Sequence, residues 1–338
     1  MHCLSYATGL LVAGVIMVSS LSANDSVPSP DVIRAAINKS IPLLEKGTKG
    51  SVEQRQCFTC HNQAVPVLAL AEVRKRGFTI DEKNFDTQLR HTSAHLDRGK
   101  KNYLDGRGQG GKVITAGYAL WTLEAGGRVP DDTTAAVTSF LLEYQQDGTH
   151  WKHPGSRPPS SGSDFTTTYV ALRGLATFGT EQQKPRIEAR SQKIRKWLLR
   201  ESPHDTEDRV FRLWALPYVD AGEDAIKLAT SQLIDSQQDD GGWAQTSDMK
   251  SDAYATATVI VALLRAGGIS TDHAVVRCGM RYLLRSQLDD GSWHVATRAK
   301  PFQTYFESGF PHGKDQFISI TASSWSTLAL VLTLPESP

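Results

Sequence analysis

The sequence has almost no net charge and few cysteines, and each shortage excludes a class of protein. Its 338 residues include 37 Lys and Arg against 36 Asp and Glu, a formal net charge of +1. Binding to phosphates of nucleic acid needs clustered positive charge, so this balance argues against nucleic acid as the main partner. Four cysteines are too few for a disulfide scaffold in a chain of this length. Hydrophobic residues make up 40% of the chain, which is typical of a globular protein.

Charged side chains are also missing from the first 23 residues, which contain no Asp, Glu, Lys or Arg. There, an apolar core, Ala7–Val18, precedes the small-residue stretch Ser19–Ala23. This pattern predicts a secretory signal peptide over residues 1–23, with an uncleaved membrane anchor as the alternative. We therefore expect a periplasmic or otherwise extracytoplasmic location in a bacterium, with membrane contact only through an uncleaved signal.

A helical pattern with a period of about 50 residues repeats over residues 29–335. Each unit has an amphipathic helix, a loop, a more uniformly apolar helix and a glycine at its end. A helix that is apolar on every side, such as Ala253–Leu264, must be buried on every side. Enclosed helices in each of about six hairpins predict an all-α fold, an α/α toroid with an outer layer of helices around an inner one.

Three loops each have a glutamine six residues before a tryptophan, with a glycine between them: Tyr144–Trp151, Ser236–Trp243 and Ser286–Trp293. They resemble the QW motif of the squalene-hopene cyclase and prenyltransferase superfamily, and the resemblance covers essentially all of residues 29–335. The family fold is an α/α toroid in which the Gln and Trp tie an outer helix to the next inner one. The resemblance also implies a cyclase-like or isoprenoid-binding activity in a central cavity.

The acid of squalene-type cyclases is expected in a D-x-D-D motif at the start of an inner helix, where the middle carboxyl protonates the substrate. The segments that we matched to it, around Asp164 and Asp252, offer one carboxylate each and are typical of helix N-caps. We therefore expect the cyclase fold without its acid. Four aromatic residues near the last inner helix are expected either to line a central pocket or to form ordinary core: Tyr305, Phe306, Phe310 and Trp325.

The first hairpin carries a C-x-x-C-H sequence, formed by Cys57, Cys60 and His61, where a QW loop would be expected. C-x-x-C-H is the attachment signature of c-type cytochromes. On a helical turn, positions i, i+3 and i+4 share a face, so both sulfurs could form thioethers to a haem whose iron is bound by His61. We therefore expect one covalent haem c at residues 57–61.

The second axial ligand would come from a loop at the same end of the toroid, because all outer-to-inner loops emerge there. His312 is the preferred candidate, since its loop is long; the others are His150, His153, His294 and Met249. Three other interpretations of the motif remain open. They are a dithiol or half a zinc site, an internal thioester between Cys60 and Gln63, and a structural cysteine pair.

The haem motif and the export signal together favour an exported haem c protein that carries out one-electron transfer with a redox partner protein. One alternative is a squalene cyclase-like or prenyltransferase-like enzyme, or a protein that binds an isoprenoid without converting it. The other is a non-enzymatic extracytoplasmic interaction module in which the cysteines are structural.

Overall fold

The computed structural model describes residues 27–155, 157–301 and 304–335, so the predicted signal peptide lies outside the described residues. Twelve α-helices and no β-strand occur in the described residues. In chain order they are α1 (Pro30–Gln54), α2 (Val65–Lys75), α3 (Glu82–Leu104), α4 (Lys112–Ala125), α5 (Asp132–Glu143), α6 (Asp164–Phe178), α7 (Lys184–Arg200), α8 (Thr206–Ala215), α9 (Glu223–Ile234), α10 (Ala253–Arg265), α11 (Ala274–Ser286) and α12 (Gln316–Leu332). None of these helices combines the length and the apolar character that a membrane crossing needs.

The even-numbered helices form a closed inner ring, in which each helix packs on the next and α12 packs back on α2. They are the uniformly apolar helices of the repeat, and in α10 every residue from Ala253 to Leu263 is buried. The odd-numbered helices lie outside and are amphipathic. For example, α7 buries Ile194, Trp197 and Leu198 against the ring and exposes most of its basic side chains. The predicted α/α toroid of six helical hairpins is confirmed.

The tryptophans of the three QW loops tie each outer helix to the next inner helix. Nε1 of Trp243 donates a hydrogen bond to the Leu233 carbonyl of α9 over 2.8 Å, and its main-chain N–H donates to Oγ1 of Thr256 in α10 over 2.9 Å. Trp151 and Trp293 make the same pair of bonds with their own helices. All three side chains are fully buried, so each N–H needs this partner.

The glutamines of the second and third QW loops bind the outer helix that follows. Nε2 of Gln287 donates to the Ala36 carbonyl of α1 over 2.9 Å, which joins the last loop to the first helix and closes the outer layer. Gln237 makes the equivalent bond to Val275 of α11. Gly291 has φ +93°, and a Cβ there would lie 2.5 Å from the Lys39 carbonyl oxygen. Only glycine fits this joint.

Candidate functional site

Aromatic side chains from alternate inner helices meet at the centre of the ring. Trp121 of α4, Trp214 of α8 and Trp325 of α12 have ring centroids 5.4 to 6.1 Å apart. These helices are not neighbours in the ring, so their side chains can touch only across its axis. With Tyr169 and Phe211 they form what we call the central aromatic cluster. Nε1 of Trp214 and of Trp325 is buried with no hydrogen-bond partner among the described residues.

The cluster fills the middle of the ring in this structure, since its three tryptophans are 1 to 4% exposed. Two cavities of about 250 and 310 Å³ in the described residues lie among the outer helices instead. Of the four aromatic residues singled out from the sequence, Trp325 belongs to the cluster. Tyr305 and Phe306 pack on Phe317, and Phe310 packs beside His312.

A buried carboxyl group, that of Glu207, lies in the first turn of α8. Oε1 of Glu207 accepts a hydrogen bond from Oγ1 of Thr166 over 2.8 Å, and Oε2 accepts one from the Tyr254 phenol over 2.9 Å. The side chains around it come from α6 and α10, so three adjacent inner helices enclose this acid. Phe211 and Trp214 follow it at positions i+4 and i+7 of the same helix, which places the acid on the face that carries the central aromatic cluster.

The environment of Glu207 holds it in the protonated state. Burial, together with the nearby charge of Asp205, raises the pKa of Glu207 to about 8, against the hydrogen bonds from Thr166 and Tyr254. The pKa of the Tyr254 phenol is also raised far above its usual range, chiefly by burial. At neutral pH the site is therefore a neutral carboxylic acid beside a neutral phenol, at one end of an aromatic interior.

The segment that carries this acid, Asp205-Thr206-Glu207-Asp208, was missed in the sequence. It reads D-x-E-D at the start of an inner helix. It differs from the D-x-D-D pattern expected of squalene-type cyclases only by a glutamate, one methylene longer than aspartate, at the third position. An inner helix, α8, thus begins with an acidic cluster that the two segments considered from the sequence do not have. Asp205 caps α8 by accepting from the Asp208 N–H over 3.0 Å, and Asp208 accepts from Ser163 Oγ over 2.7 Å, so the flanking carboxylates hold the turn in place.

The two aspartates considered from the sequence have other roles. Asp252 is the N-cap of α10 and accepts from the Ala255 N–H over 2.9 Å, as expected. Asp164 is not a cap, because Ser163 caps α6. It accepts from Nε2 of His150 over 3.0 Å and from Nδ1 of His153 over 2.6 Å. Burial raises the pKa of Asp164, but these hydrogen bonds outweigh it and hold the pKa at about 2. Asp164 is thus a carboxylate and not an acid at neutral pH.

The loops that precede the inner helices are joined to one another at the end of the ring where Glu207 lies. Side-chain hydrogen bonds of 2.6 to 3.1 Å link the starts of different inner helices and the loops before them: His61 to Ser160, Ser163 to Asp208, Thr206 to Ala244, and Arg298 to Gln245. The prediction that these loops share one end of the toroid is confirmed. Their hydrogen bonds keep the acid enclosed, and Glu207 is only 3% exposed.

Beyond the aromatic cluster, further along the inner helices, the ring carries a paired charge. Arg173 of α6 forms a bidentate ion pair with Glu124 of α4, with N–O distances of 2.7 and 2.8 Å. The same guanidinium donates to the phenol oxygens of Tyr169 and Tyr218 and lies 4.8 Å from the ring centroid of Trp121. The interior is therefore polar at both ends and aromatic between them.

The C-x-x-C-H segment does not form the helical turn on which the haem prediction depended. Residues 55–59 are not helical, and the turn begins at Cys60 as a π-helix, Cys60–Ala64. Cys57 is exposed, whereas burial raises the pKa of the Cys60 thiol to about 12. His61 shares a hydrogen bond of 3.1 Å with Ser160 Oγ, and burial and the charge of Arg157 lower its pKa to about 4. The two sulfurs thus lie in different environments.

The other residues considered for a haem or thioester are engaged elsewhere. Oε1 of Gln63 accepts from the Thr59 N–H over 2.9 Å, and Nε2 of Gln63 bonds to Gln88 and His91, which ties the segment to α3. His312 shares a hydrogen bond of 2.8 Å with Ser292 Oγ and stacks on His294 at 4.7 Å. Met249 lies in the loop before α10, where its carbonyl accepts from Gln238.

The fold is shared with solved structures of terpene cyclases, whereas no protein-family model matches the chain. The type II terpene cyclase MstE from Scytonema superimposes with a TM-score of 0.58 at 15% identity, over 90% of this chain and 98% of that one. A variant of the same enzyme, solved with the product merosterolic acid A, gives 0.57 at 15% identity over 89% and 97%. A second variant, with its substrate geranylgeranyl dihydroxybenzoate, gives 0.55 at 14% identity over 90% and 97%.

The prediction of a covalent haem c is wrong. The solved structures compared above are terpene cyclases, and none of the three is described as a haem protein. In the described residues, no group of three or more His, Cys, Asp or Glu side chains could hold a metal ion. Cys57 and Cys60 do not share a helical face, and Ser160 occupies Nε2 of His61, so the residues do not fit the group. The prediction of one-electron transfer, which depended on the haem, is therefore unsupported.

The similarity extends over 89 to 90% of this chain and therefore includes most of the helices of both layers. At 14 to 15% identity it establishes the architecture and leaves the chemistry to be argued from the side chains. The chain has the α/α toroid fold of type II terpene cyclases.

Proposed function

We propose that this protein is an isoprenoid cyclase-like enzyme in which Glu207 protonates a carbon–carbon double bond inside the inner ring. The observation that carries the proposal is the neutral carboxyl group of Glu207, enclosed by three inner helices and held by Thr166 and Tyr254. A general acid must hold its proton at the working pH and be shielded from water, and Glu207 meets both conditions.

The proposed reaction conserves protons and electrons. The carboxyl proton of Glu207 adds to one carbon of a trisubstituted double bond, which leaves a tertiary carbocation and a carboxylate. A second double bond of the same molecule attacks the cation and closes a ring with a new carbon–carbon bond. Loss of a proton from the final cation gives a neutral cyclic isomer, and a proton from solvent restores the acid. No oxidant or reductant is required.

The central aromatic cluster suits the cationic intermediates of such a reaction, because aromatic faces attract positive charge without reacting as bases. The cluster is packed in this structure, so a substrate must move its indole rings to enter. The N–H groups of Trp214 and Trp325, which have no partner in the described part of the chain, favour such movement, since an unpaired buried donor costs about 1–3 kcal/mol. The polar group of an isoprenoid would lie toward Arg173 and its reacting double bond toward Glu207.

The test is conversion of linear isoprenoids by the purified protein. Farnesol, geranylgeraniol and squalene are incubated with it, and the extracts are examined by gas chromatography and mass spectrometry for cyclic isomers of unchanged mass. We expect a cyclic isomer from at least one of the three. Glu207→Gln should lower its yield at least about 100-fold, because the general acid is removed. Glu207→Asp, which keeps a carboxyl group, should retain part of the activity.

Glu223→Gln is the matched control, since this glutamate lies in the first turn of the next outer helix and its side chain is 87% exposed. It should leave the yield unchanged. Thermal unfolding of each variant separates loss of the acid from loss of the fold. Binding of the isoprenoids without conversion would refute the enzyme and favour an isoprenoid-binding protein. Full activity in Glu207→Gln would refute the role of this residue.

A further inference from the structure

The outer helix α7 concentrates positive charge on a molecule that is otherwise acidic. Its 17 residues include seven Lys and Arg and a single acidic residue, Glu188, a net charge of +6. The whole chain has a net charge of +1, so the remainder carries −5. A charge distribution this uneven creates a local field that attracts anionic partners.

Four of these cations form a stripe along one side of α7. Arg186, Lys193, Lys196 and Arg200 are spaced by seven, three and four residues, which places them on one side of an α-helix. All four are exposed, whereas Ile194, Trp197 and Leu198 of the same helix are buried. At 1.5 Å per residue the stripe is roughly 21 Å long. We call these four residues the basic stripe.

A pocket of about 250 Å³ opens beside the N-terminal half of the basic stripe, between α7 and the first QW loop. Arg186, Arg190 and Lys193 line it, and Asp147 is its only acidic lining residue. Arg186 also forms an ion pair with Glu143 at 3.8 Å. Three cations thus face two carboxylates, so the positive charge at the pocket is incompletely balanced.

Arg190 differs from the other cations of this pocket because its side chain is buried. It is 5% exposed and stacks on Trp151, 4.5 Å from that ring's centroid. Its terminal nitrogens donate to carbonyl oxygens of the first QW loop, so Arg190 joins α7 to this loop. In the other two loops, a glutamine of the loop makes the corresponding joint to the next outer helix. Its Nε is buried and has no hydrogen-bond partner among the described residues. The charge of Asp147 acts on this guanidinium, but its hydrogen bonds in the described residues all go to neutral carbonyls. A buried guanidinium with an unpaired N–H can therefore still accept an anion as a hydrogen-bonded partner.

We propose that this pocket binds the phosphate of an anionic phospholipid and that the basic stripe docks α7 on an anionic membrane surface. The length of the stripe favours an extended surface over a single free phosphate, because the pocket uses only half of it. Leu199 lies between Lys196 and Arg200 in the sequence and is 44% exposed, which suits the edge of a bilayer. The proposal is independent of the chemistry at Glu207.

Vesicle co-sedimentation of the full chain tests it. Partition is measured on vesicles of phosphatidylglycerol with phosphatidylcholine, and on phosphatidylcholine alone, and the ratio of the two removes any contribution of the apolar N-terminal residues. The compared variant is the quadruple change Arg186→Gln, Lys193→Gln, Lys196→Gln and Arg200→Gln. Each basic residue near an anionic membrane contributes about 1 kcal/mol, so the ratio should fall at least about tenfold.

The matched control removes the same charge from α3, by Lys83→Gln, Arg90→Gln, Arg98→Gln and Lys101→Gln, all at exposed positions. It should change the ratio less than about twofold. An equal loss in both variants, or no preference for phosphatidylglycerol in the unaltered protein, would overturn the proposal. So would release from the vesicles by inorganic phosphate at constant ionic strength, because that outcome assigns the pocket to free phosphate.

Discussion

The phenol of Tyr254 donates a hydrogen bond to Oε2 of Glu207 over 2.9 Å in the interior of the ring. Because this partner is neutral, it cannot offset the cost of burying a carboxylate, and the pKa of Glu207 rises to about 8. Asp164 begins the preceding inner helix, but His150 and His153 hold its pKa at about 2. Two acidic residues in similar positions of the repeat therefore have opposite protonation states, decided by their partners.

The raised pKa of Glu207 predicts how stability depends on pH. An unfolded glutamate loses its proton near pH 4.5, whereas the folded protein keeps it until about pH 8. Between these values the folded state binds the extra proton, so this group makes the free energy of unfolding fall by up to about 1.4 kcal/mol per pH unit as pH rises. Urea unfolding at pH 5 to 8 should show a smaller fall in Glu207→Gln, and parallel curves would refute the raised pKa.

The packing of the central aromatic cluster predicts a large effect of Trp325→Ala. Trp325 is 1% exposed and contacts Trp121 and Trp214 across the ring, so the change should cost about 3–5 kcal/mol of unfolding free energy. It should also leave a cavity that indole can refill, seen as a rise in the melting temperature of this variant and not of the unaltered protein. Trp325→Phe is the control. A loss below about 1 kcal/mol would show that the ring centre is not packed.

The QW glutamines are expected to stabilise the ring to similar extents. Gln287→Ala removes two hydrogen bonds of Nε2, to the carbonyls of Ala36 and Gly291, and Gln237→Ala removes the equivalent pair. Each change should lower the free energy of unfolding by about 1–3 kcal/mol. Gln192→Ala, on the exposed side of α7, is the control and should cost less than about 0.5 kcal/mol. Equal effects at all three positions would contradict the assigned joints.

The thiols of the first hairpin should differ in reactivity. Cys57 is exposed, while the Cys60 thiol is largely enclosed and has a pKa of about 12. N-ethylmaleimide should therefore label Cys57 in the native protein and label Cys60 only after unfolding, as peptide mass spectrometry can show. Protein made together with a cytochrome c maturation system should carry both thiols free. A haem bound through both sulfurs would contradict the structure described here.

The architecture could be predicted from the sequence because its determinants are local and repeated. Helices such as Ala253–Leu264 are apolar on all sides, and the QW loops place a glutamine and a tryptophan in register. The structure gives these residues the joining roles expected of them, through hydrogen bonds such as that from Trp243 to Leu233. The first loop is an exception, since its joint to the next outer helix is made by Arg190 of that helix and not by the loop glutamine. Nothing in the sequence of the loop indicates this difference.

The acid could not be assigned in the same way. The protonation state of Glu207 depends on Thr166 and Tyr254, which lie 41 and 47 residues away in sequence on two other helices. Its sequence signal, the acidic segment that begins at Asp205, differs from D-x-D-D because a glutamate stands at the position of the middle carboxyl. The haem prediction was wrong for the opposite reason. It took Cys57 and His61 to share a helical turn, but the chain before Cys60 is not helical.

The most direct test of proton transfer from Glu207 is to incubate the protein with a linear isoprenoid in D₂O and measure the mass of the cyclic product. Protonation of the double bond by an acid in exchange with solvent adds one deuterium that the final proton loss does not remove. We predict a cyclic isomer one mass unit heavier than the product formed in H₂O, and no product from Glu207→Gln. A cyclic product without deuterium, or one that Glu207→Gln forms equally well, would contradict this mechanism.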